Sequence, residues 1–268
     1  MIPEDELRQL LQTAIRGARS AGAIIRRDMK RPRNIEYKRA RDMVTQTDKR
    51  AENVIIDIIQ KQFPSHQIIG EESGLLNDND SLFTWYIDPL DGTTNFVHGY
   101  PIFATSIGLT YKDEPLVGVI LDPTRDELFS AAKGLGAFLN GKQMSVSNTM
   151  DMKSSILATG YYYIHDHLFA LNMKLWNEIY PHTQGLRRGG AAAIDLAYVA
   201  CGRLDGFWEF NLNPWDVAAG VVLIKEAGGE VIHANGDNFL TKDTKLKHII
   251  AGNINITNTL FDIIKVHY

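Results

Sequence analysis

Two aspartates three residues apart at the end of an apolar strand limit what this chain can be more than any other feature. They lie in Trp85-Tyr86-Ile87-Asp88-Pro89-Leu90-Asp91-Gly92-Thr93-Thr94-Asn95-Phe96. The strand delivers Asp88, Pro89 forces a turn, and Asp91 follows, so both carboxylates are expected to converge on one point in a loop. Two close carboxylates repel unless a cation lies between them. Oxygen-only ligands favour Mg²⁺ or Mn²⁺ over zinc, and the Leu90 carbonyl is a third oxygen between the acids. Gly92-Thr93-Thr94 add a yielding backbone and two hydroxyls, and the start of a short helix there would aim free N–H groups at a phosphate. Alone, these residues equally fit a hairpin turn at Asp91-Gly92 with Asp88 merely ending the strand.

Three other segments place acids at element ends. In Ile68-Ile69-Gly70-Glu71-Glu72-Ser73-Gly74 an apolar strand runs into adjacent acids between glycines, and Glu71 would join Asp88 at a metal; a solvated loop is the alternative. Asn213-Pro214-Trp215-Asp216-Val217-Ala218-Ala219-Gly220 starts an apolar helix at Asp216, and Thr45-Gln46-Thr47-Asp48 starts another. Helix capping accounts for either aspartate by itself. If Asp48 faces Thr93, the pair could instead take a proton from a water held at the metal.

The rest of the chain alternates helices and strands. Helical spacing runs from Glu4 to about Lys30 and from Asp48 to Phe63, the second capped at Thr47 or Asp48 and ended by Pro64. Strand-like runs follow at Gln67 to Ile69, Thr84 to Ile87, Phe103 to Leu109, Val117 to Leu121, Glu127 to Ala131 and Ala137 to Leu139. Beyond Thr149 we expect a strand at Ile156 to Thr159, helices at Asp166 to Ile179, Ala191 to Val199 and Asp216 to Glu226, and strands near Phe207, Val231 and Ile249. This predicts an α/β (α+β) sandwich of two lobes, 1–147 and 148–268, with the site between them.

Composition excludes several classes. At 268 residues, 44% hydrophobic and a net charge of −4 with interleaved signs, the chain shows neither disorder nor a field for nucleic acid. The single cysteine, Cys201, rules out an intrachain disulfide framework and suits a reducing, cytoplasmic setting. The amphipathic amino terminus reads as a first helix, with no membrane span. Gly134-Leu135-Gly136 is followed by Leu139 where a dinucleotide loop needs glycine, and Gly17 to Gly22 lacks the lysine of a phosphate loop. His165-Asp166-His167 reads as a helix start, Tyr161-Tyr162-Tyr163 as an aromatic contact patch, and Lys30, Arg31, Arg33, Lys38, Arg39 and Arg41 as a solvated basic surface.

Taken together, GEESG, DPLDGTTNF and WDVAAG, in this order and with a 17-residue step from Glu71 to Asp88, resemble the inositol monophosphatase family of Mg²⁺-dependent, Li⁺-sensitive phosphatases. The resemblance spans essentially the whole chain and implies a layered αβαβα sandwich. It implies one Mg²⁺ on Glu71, Asp88 and the Leu90 carbonyl, and a second on Asp88, Asp91 and Asp216. A third, weaker site near Glu71 would be associated with the loop before Asp48. By the same resemblance Thr93 and Asp48 would orient the attacking water, and Gly92, Thr93 and Thr94 would hold the phosphate. The run Arg187-Arg188-Gly189-Gly190-Ala191-Ala192-Ala193, with Glu209 and Asp216, would line the substrate side. Ala191 stands where the family usually carries Ser or Thr, which removes one hydroxyl from the rim. The expected reaction is hydrolysis of inositol monophosphate by a homodimer. NADP(H) 2′-phosphate, fructose 1,6-bisphosphate and 3′-phosphoadenosine 5′-phosphate are alternative substrates, and a non-catalytic binding role is a further alternative.

Overall fold

Leu7, Leu10, Ala14, Ala18, Ala21 and Ile25 recur three or four residues apart and are all buried, giving α1 (Glu4–Asp28) one face to lay on a sheet. The computed structural model describes residues 2–29, 35–39, 42–77, 79–161, 166–236 and 248–268, those at 35–39 and 42–44 by backbone alone. Lys30, Arg31, Arg33 and Arg41 of the basic stretch lie outside the described residues, as do Tyr162, Tyr163 and His165.

After α1 come the antiparallel ribbon of β1 (Ile35–Arg39) and β2 (Asp42–Thr45), helix α2 (Gln46–Gln62), and strands β3 (Gln67–Gly70), β4 (Gly74–Leu76) and β5 (Phe83–Asp91). Helix α3 (Thr93–His98) leads into β6 (Ala104–Tyr111), β7 (Glu114–Asp122), β8 (Glu127–Ala132), β9 (Gly136–Leu139) and β10 (Lys142–Gln143). The chain continues through β11 (Ile156–Thr159), α4 (His167–Ile179), β12 (Gly185–Arg187), α5 (Ala192–Ala200) and β13 (Gly206–Glu209). It closes with α6 (Pro214–Glu226), β14 (Glu230–His233), β15 (Ile249–Gly252) and α7 (Ile254–Ile264).

Among the described residues the long strands form two sheets. One has eight strands in the order β10-β9-β8-β7-β6-β5-β3-β4, antiparallel except where β3 runs parallel to β5; the other has five, β12-β11-β13-β15-β14. Helices α1 and α2 cover one face of the large sheet, and α5 and α6 fill the space between the sheets. Helices α4 and α7 cover the outer face of the small sheet through Leu175, Ile179, Ile256 and Leu260. The result is the expected αβαβα layering. No helix among the described residues is long and apolar enough to cross a membrane.

Two differences from the sequence expectation have local causes. Helix α2 opens at Gln46 because the cap is Thr45, whose hydroxyl accepts the Thr47 N–H; Asp48 sits one turn inside. Strands β1, β2, β4, β10 and β12 run two to five residues and helix α7 follows a strand directly, so none carries a long periodic signal.

Helix α6 is apolar all round, with Val217 to Ile224 buried, because it has a sheet on either side. Its approach to the large sheet depends on Gly108 and Gly118, which face each other across β6 and β7. A Cβ on Gly108 would lie 2.4 Å from the Ala218 Cβ, and one on Gly118 would lie 2.3 Å from the Ala219 carbonyl oxygen. Gly118→Ala is therefore expected to lower stability by about 1–3 kcal/mol through overpacking. Denaturant unfolding of the variant checks this, and an unchanged midpoint would show that α6 is not held as tightly as described.

Candidate active site

The two sheet neighbours β3 and β5 bring the first pair of acids together. Their parallel ladder joins Gln67 to Thr84 and Gly70 to Ile87, a constant offset of 17 residues, and the Glu71 N–H continues it by donating to the Ile87 carbonyl at 3.0 Å. Glu71 and Asp88 have the same separation in sequence, so the register itself makes them neighbours.

Asp88 and Asp91 meet by a different device. Regular strand positions three apart point to opposite faces. Here Asp88 pairs with Ser106 and Asp91 with Ala104, so β5 carries one extra residue against β6, a bulge at Pro89 and Leu90. The pair thus sits on a bulged strand end where a loop was expected. The Leu90 N–H donates to Asp88 Oδ1 at 3.0 Å and stiffens the bulge. Gly92 then turns the chain at φ 92° into α3, and a Cβ there would lie 2.9 Å from the Ile102 carbonyl oxygen and 3.3 Å from the Ala191 Cβ.

Asp48 and Asp216 are delivered by matching helix starts. Each is the third residue of its helix and accepts the N–H of the cap residue through Oδ2, Thr45 to Asp48 at 2.9 Å and Asn213 to Asp216 at 2.6 Å. Capping and placement are one arrangement. The other oxygen of Asp48 accepts the Thr93 hydroxyl at 2.9 Å, joining α2 to α3 as the sequence had suggested; that hydroxyl also lies 3.1 Å from the Leu90 carbonyl. Asp91 reaches across to α5, whose cap residue Ala191 has no polar side chain, and its Oδ2 accepts the Ala193 N–H at 2.6 Å.

Burial and mutual repulsion set the electrostatics. Asp88, 3% exposed, is pushed well above the usual carboxylate range by loss of water and then by the charges of Glu71, Asp91 and Asp216. Asp91 is pushed up to about 7 by burial, against the pull of the Ala193 amide. Asp48 is raised by burial, with Thr45 and Thr93 opposing. Among the described residues no three His, Cys, Asp or Glu side chains stand closed around one point as a finished metal cage. Asp88, Asp91 and Asp216 each have one oxygen engaged by a backbone amide, and Asp88 is also hydrogen-bonded to the Glu71 side chain.

Glu209 is buried, with its carboxylate directly over the Cα of Gly160, and burial followed by the charge of Asp195 raises its pKa strongly. Gly190 adopts φ 83°, and the Asn95 amide, which donates to the Gly189 carbonyl at 2.9 Å, ties that turn to α3. Ala192 is buried in the first turn of α5, and Thr94 is half-buried in α3. Arg187 is exposed and donates to the Leu186 carbonyl, whereas Arg188 is the arginine whose charge acts on Asp91, Asp195 and Glu209. Sequence reasoning passed over Asp195. It lies one turn into α5, buried, and its proximity to Asp91 and Glu209 is a product of the fold that no short motif announces.

A profile of the inositol monophosphatase family matches residues 6–263. The inositol-1-monophosphatase of Synechocystis is 48% identical over 227 residues, 84% of this chain and 79% of that protein. The Pseudomonas aeruginosa protein named Nus factor SuhB is 42% identical over 97% of both chains. The structure of inositol monophosphatase from Anabaena superposes with a TM-score of 0.83 at 40% identity, covering 96% of this chain and 95% of that one. SaIMPase-II, 28% identical, has been solved with inositol monophosphate bound (TM-score 0.78, covering 95% and 92%) and with 2′AMP bound (TM-score 0.81, covering 97% and 95%).

A carboxylate whose pKa is raised on folding costs stability once pH exceeds its unfolded value near 4, and the loss grows until the raised value is passed. Asp88→Asn removes one such charge while keeping an acceptor for the Leu90 N–H. In EDTA the variant is expected to melt a few degrees higher than the wild type at about pH 8, with the gap closing toward pH 5. A lower melting temperature at pH 8 would contradict this account of the cluster.

Proposed function

The chain belongs to the inositol monophosphatase family, and from that premise we propose that this phosphatase is a Mg²⁺-dependent phosphomonoesterase acting on inositol monophosphate. The observation that carries the reading is the convergence of Glu71, Asp91 and Asp216 on buried Asp88. Like charges gathered away from water fit a cation, and donors that are all oxygen suit Mg²⁺, with Mn²⁺ as a substitute. Glu71, Asp88 and the Leu90 carbonyl would hold one ion, and Asp88, Asp91 and Asp216 a second. Bound there, Mg²⁺ would offset the carboxylate repulsion, polarise the phosphate and make a water more acidic.

The chain's own groups supply the rest of the chemistry. The Thr93 hydroxyl, donating to Asp48, has lone pairs left to orient a water for attack on phosphorus, and Asp48, its proton affinity raised by burial, accepts the proton passed through that hydroxyl. Backbone N–H groups of Gly92, Thr93 and Thr94 face the phosphate oxygens. Glu209 accepts hydroxyls of the polyol, and Gly190 with the arginines at 187 and 188 bounds the opening, whereas Ala191, expected at the rim, is buried like Ala192. The 2′AMP held by SaIMPase-II favours one alternative, a nucleotide 2′-phosphate such as that of NADP⁺. The relative named as a Nus factor is the reason to keep a second, non-catalytic binding role in view. Family membership leads us to expect a homodimer inhibited by Li⁺, and the single cysteine fits a cytoplasmic setting.

Two measurements test this. Phosphate release from inositol 1-phosphate, NADP⁺, fructose 1,6-bisphosphate and 3′-phosphoadenosine 5′-phosphate is expected to be fastest on the first. It should vanish in EDTA and fall roughly 10²-fold or more in Asp88→Asn. Preference for NADP⁺ would keep the chemistry and change the substrate, and metal-independent turnover would overturn the mechanism. Proton and cation also compete for Asp91: below about pH 7 the metal-free carboxyl keeps its proton, so Mg²⁺ must displace it. The gain in melting temperature on adding Mg²⁺ should therefore shrink as pH falls from about 8 to about 6, and a gain independent of pH would remove Asp91 from the ligand set.

A further inference from the structure

One turn beyond Asp48 on α2, on the same face, lies Glu52, a carboxylate 2% exposed that none of the motifs contains. Its Oε2 accepts the Glu72 N–H at 3.0 Å. The same carboxylate lies against the Cα of Gly70, where an added Cβ would meet Oε2 at 2.6 Å and Cδ at 2.7 Å, with the Ser73 hydroxyl oxygen also at 2.6 Å. Glu52 therefore grips the turn on both sides of Glu71, at Gly70 and at Glu72. From β5 the turn receives the Ile87 carbonyl, which accepts the Glu71 N–H. Beyond it the ladder is lost, and β4 returns as a strand of three residues. The Glu71 side chain shares a hydrogen bond with Asp88 while one of the two is protonated, but once both are ionised their charges repel and the backbone of the turn must keep Glu71 in place.

We propose that Glu52 is a positioning residue that holds the Gly70 to Glu72 turn so that Glu71 is presented to the cation beside Asp88. The inference rests on the metal-dependent reading above. It makes α2 the common support of two loops, the Thr93 turn through Asp48 and the Glu71 turn through Glu52. The bond from the Glu72 amide needs an acceptor and no charge. Glutamine at position 52 therefore keeps the grip, while alanine releases it and alanine at position 70 pushes the carboxylate off its seat from the other side.

The test measures Mg²⁺ affinity by calorimetry on the full chain as wild type, E52A, E52Q and G70A, with melting temperatures alongside. E52A and G70A are expected to bind Mg²⁺ about 10–100-fold more weakly, the usual scale for groups that orient a ligand, and to be non-additive when combined. E52Q is expected to bind nearly as the wild type does. Mg²⁺ needed for half-maximal phosphate release should rise in parallel, with KM for substrate at saturating Mg²⁺ little changed. Wild-type affinity in E52A and G70A would overturn the proposal. So would loss of affinity in E52Q equal to that in E52A with both variants folded. Should E52A fail to fold, E52Q against G70A gives the same decision. A wild type that binds no Mg²⁺ at all would instead overturn the metal reading, which keeps the two failures apart.

Discussion

Like charges brought close together out of water repel, and Glu71, Asp91 and Asp216 are nevertheless held around Asp88. While all four are ionised, no contact among their side chains could keep them there, because each such contact costs energy; the Glu71–Asp88 hydrogen bond needs a shared proton. Backbone geometry does it: a parallel register sets Glu71 beside Asp88, a bulge turns Asp91 to the same side, and a helix start packed on paired glycines carries in Asp216. The surrounding layers give these elements their rigidity, so the repulsion is carried by the whole sandwich and is available to draw in a cation of opposite charge.

The acids themselves serve the fold. Asp48 and Asp216 complete capping boxes, and Asp91 supplies the amide acceptor that Ala191 lacks at the start of α5. Each thereby loses rotational freedom. Capping does not prevent such an aspartate from facing a site: at Asp48 the cap holds one oxygen while the second meets the Thr93 hydroxyl. The same economy appears at Thr93, whose hydroxyl links Asp48 to the Leu90 carbonyl and so ties two separate helix starts to the bulge.

Much of the architecture was legible because its elements are long and strongly patterned. Helices α1 and α2, the strands from β5 to β9 and the alternation after Ile156 lie within a few residues of where apolar spacing puts them. What could not be read were two- to five-residue strands, with too few residues to show a period, and helix boundaries where two hydroxyls and an acid compete for the cap, as at Thr45, Thr47 and Asp48. In the site the acids next to glycine, proline or a helix start were visible as motifs. Asp195 and Glu52 were not, since each sits within a helix and gains its surroundings only from other elements.

By itself the sequence determined which groups are available and roughly on what they ride: oxygen ligands at the ends of apolar elements, a glycine that must turn, an alanine with no hydroxyl to offer. Those are local properties, decided by the chemistry of a residue and its immediate neighbours. Which acids meet, which groups their oxygens bond and how far burial raises their proton affinity were decided by the tertiary structure alone. Register, bulge and helix packing set distances between residues far apart in the chain, and the removal of water that makes those distances matter is a property of the packed layers together.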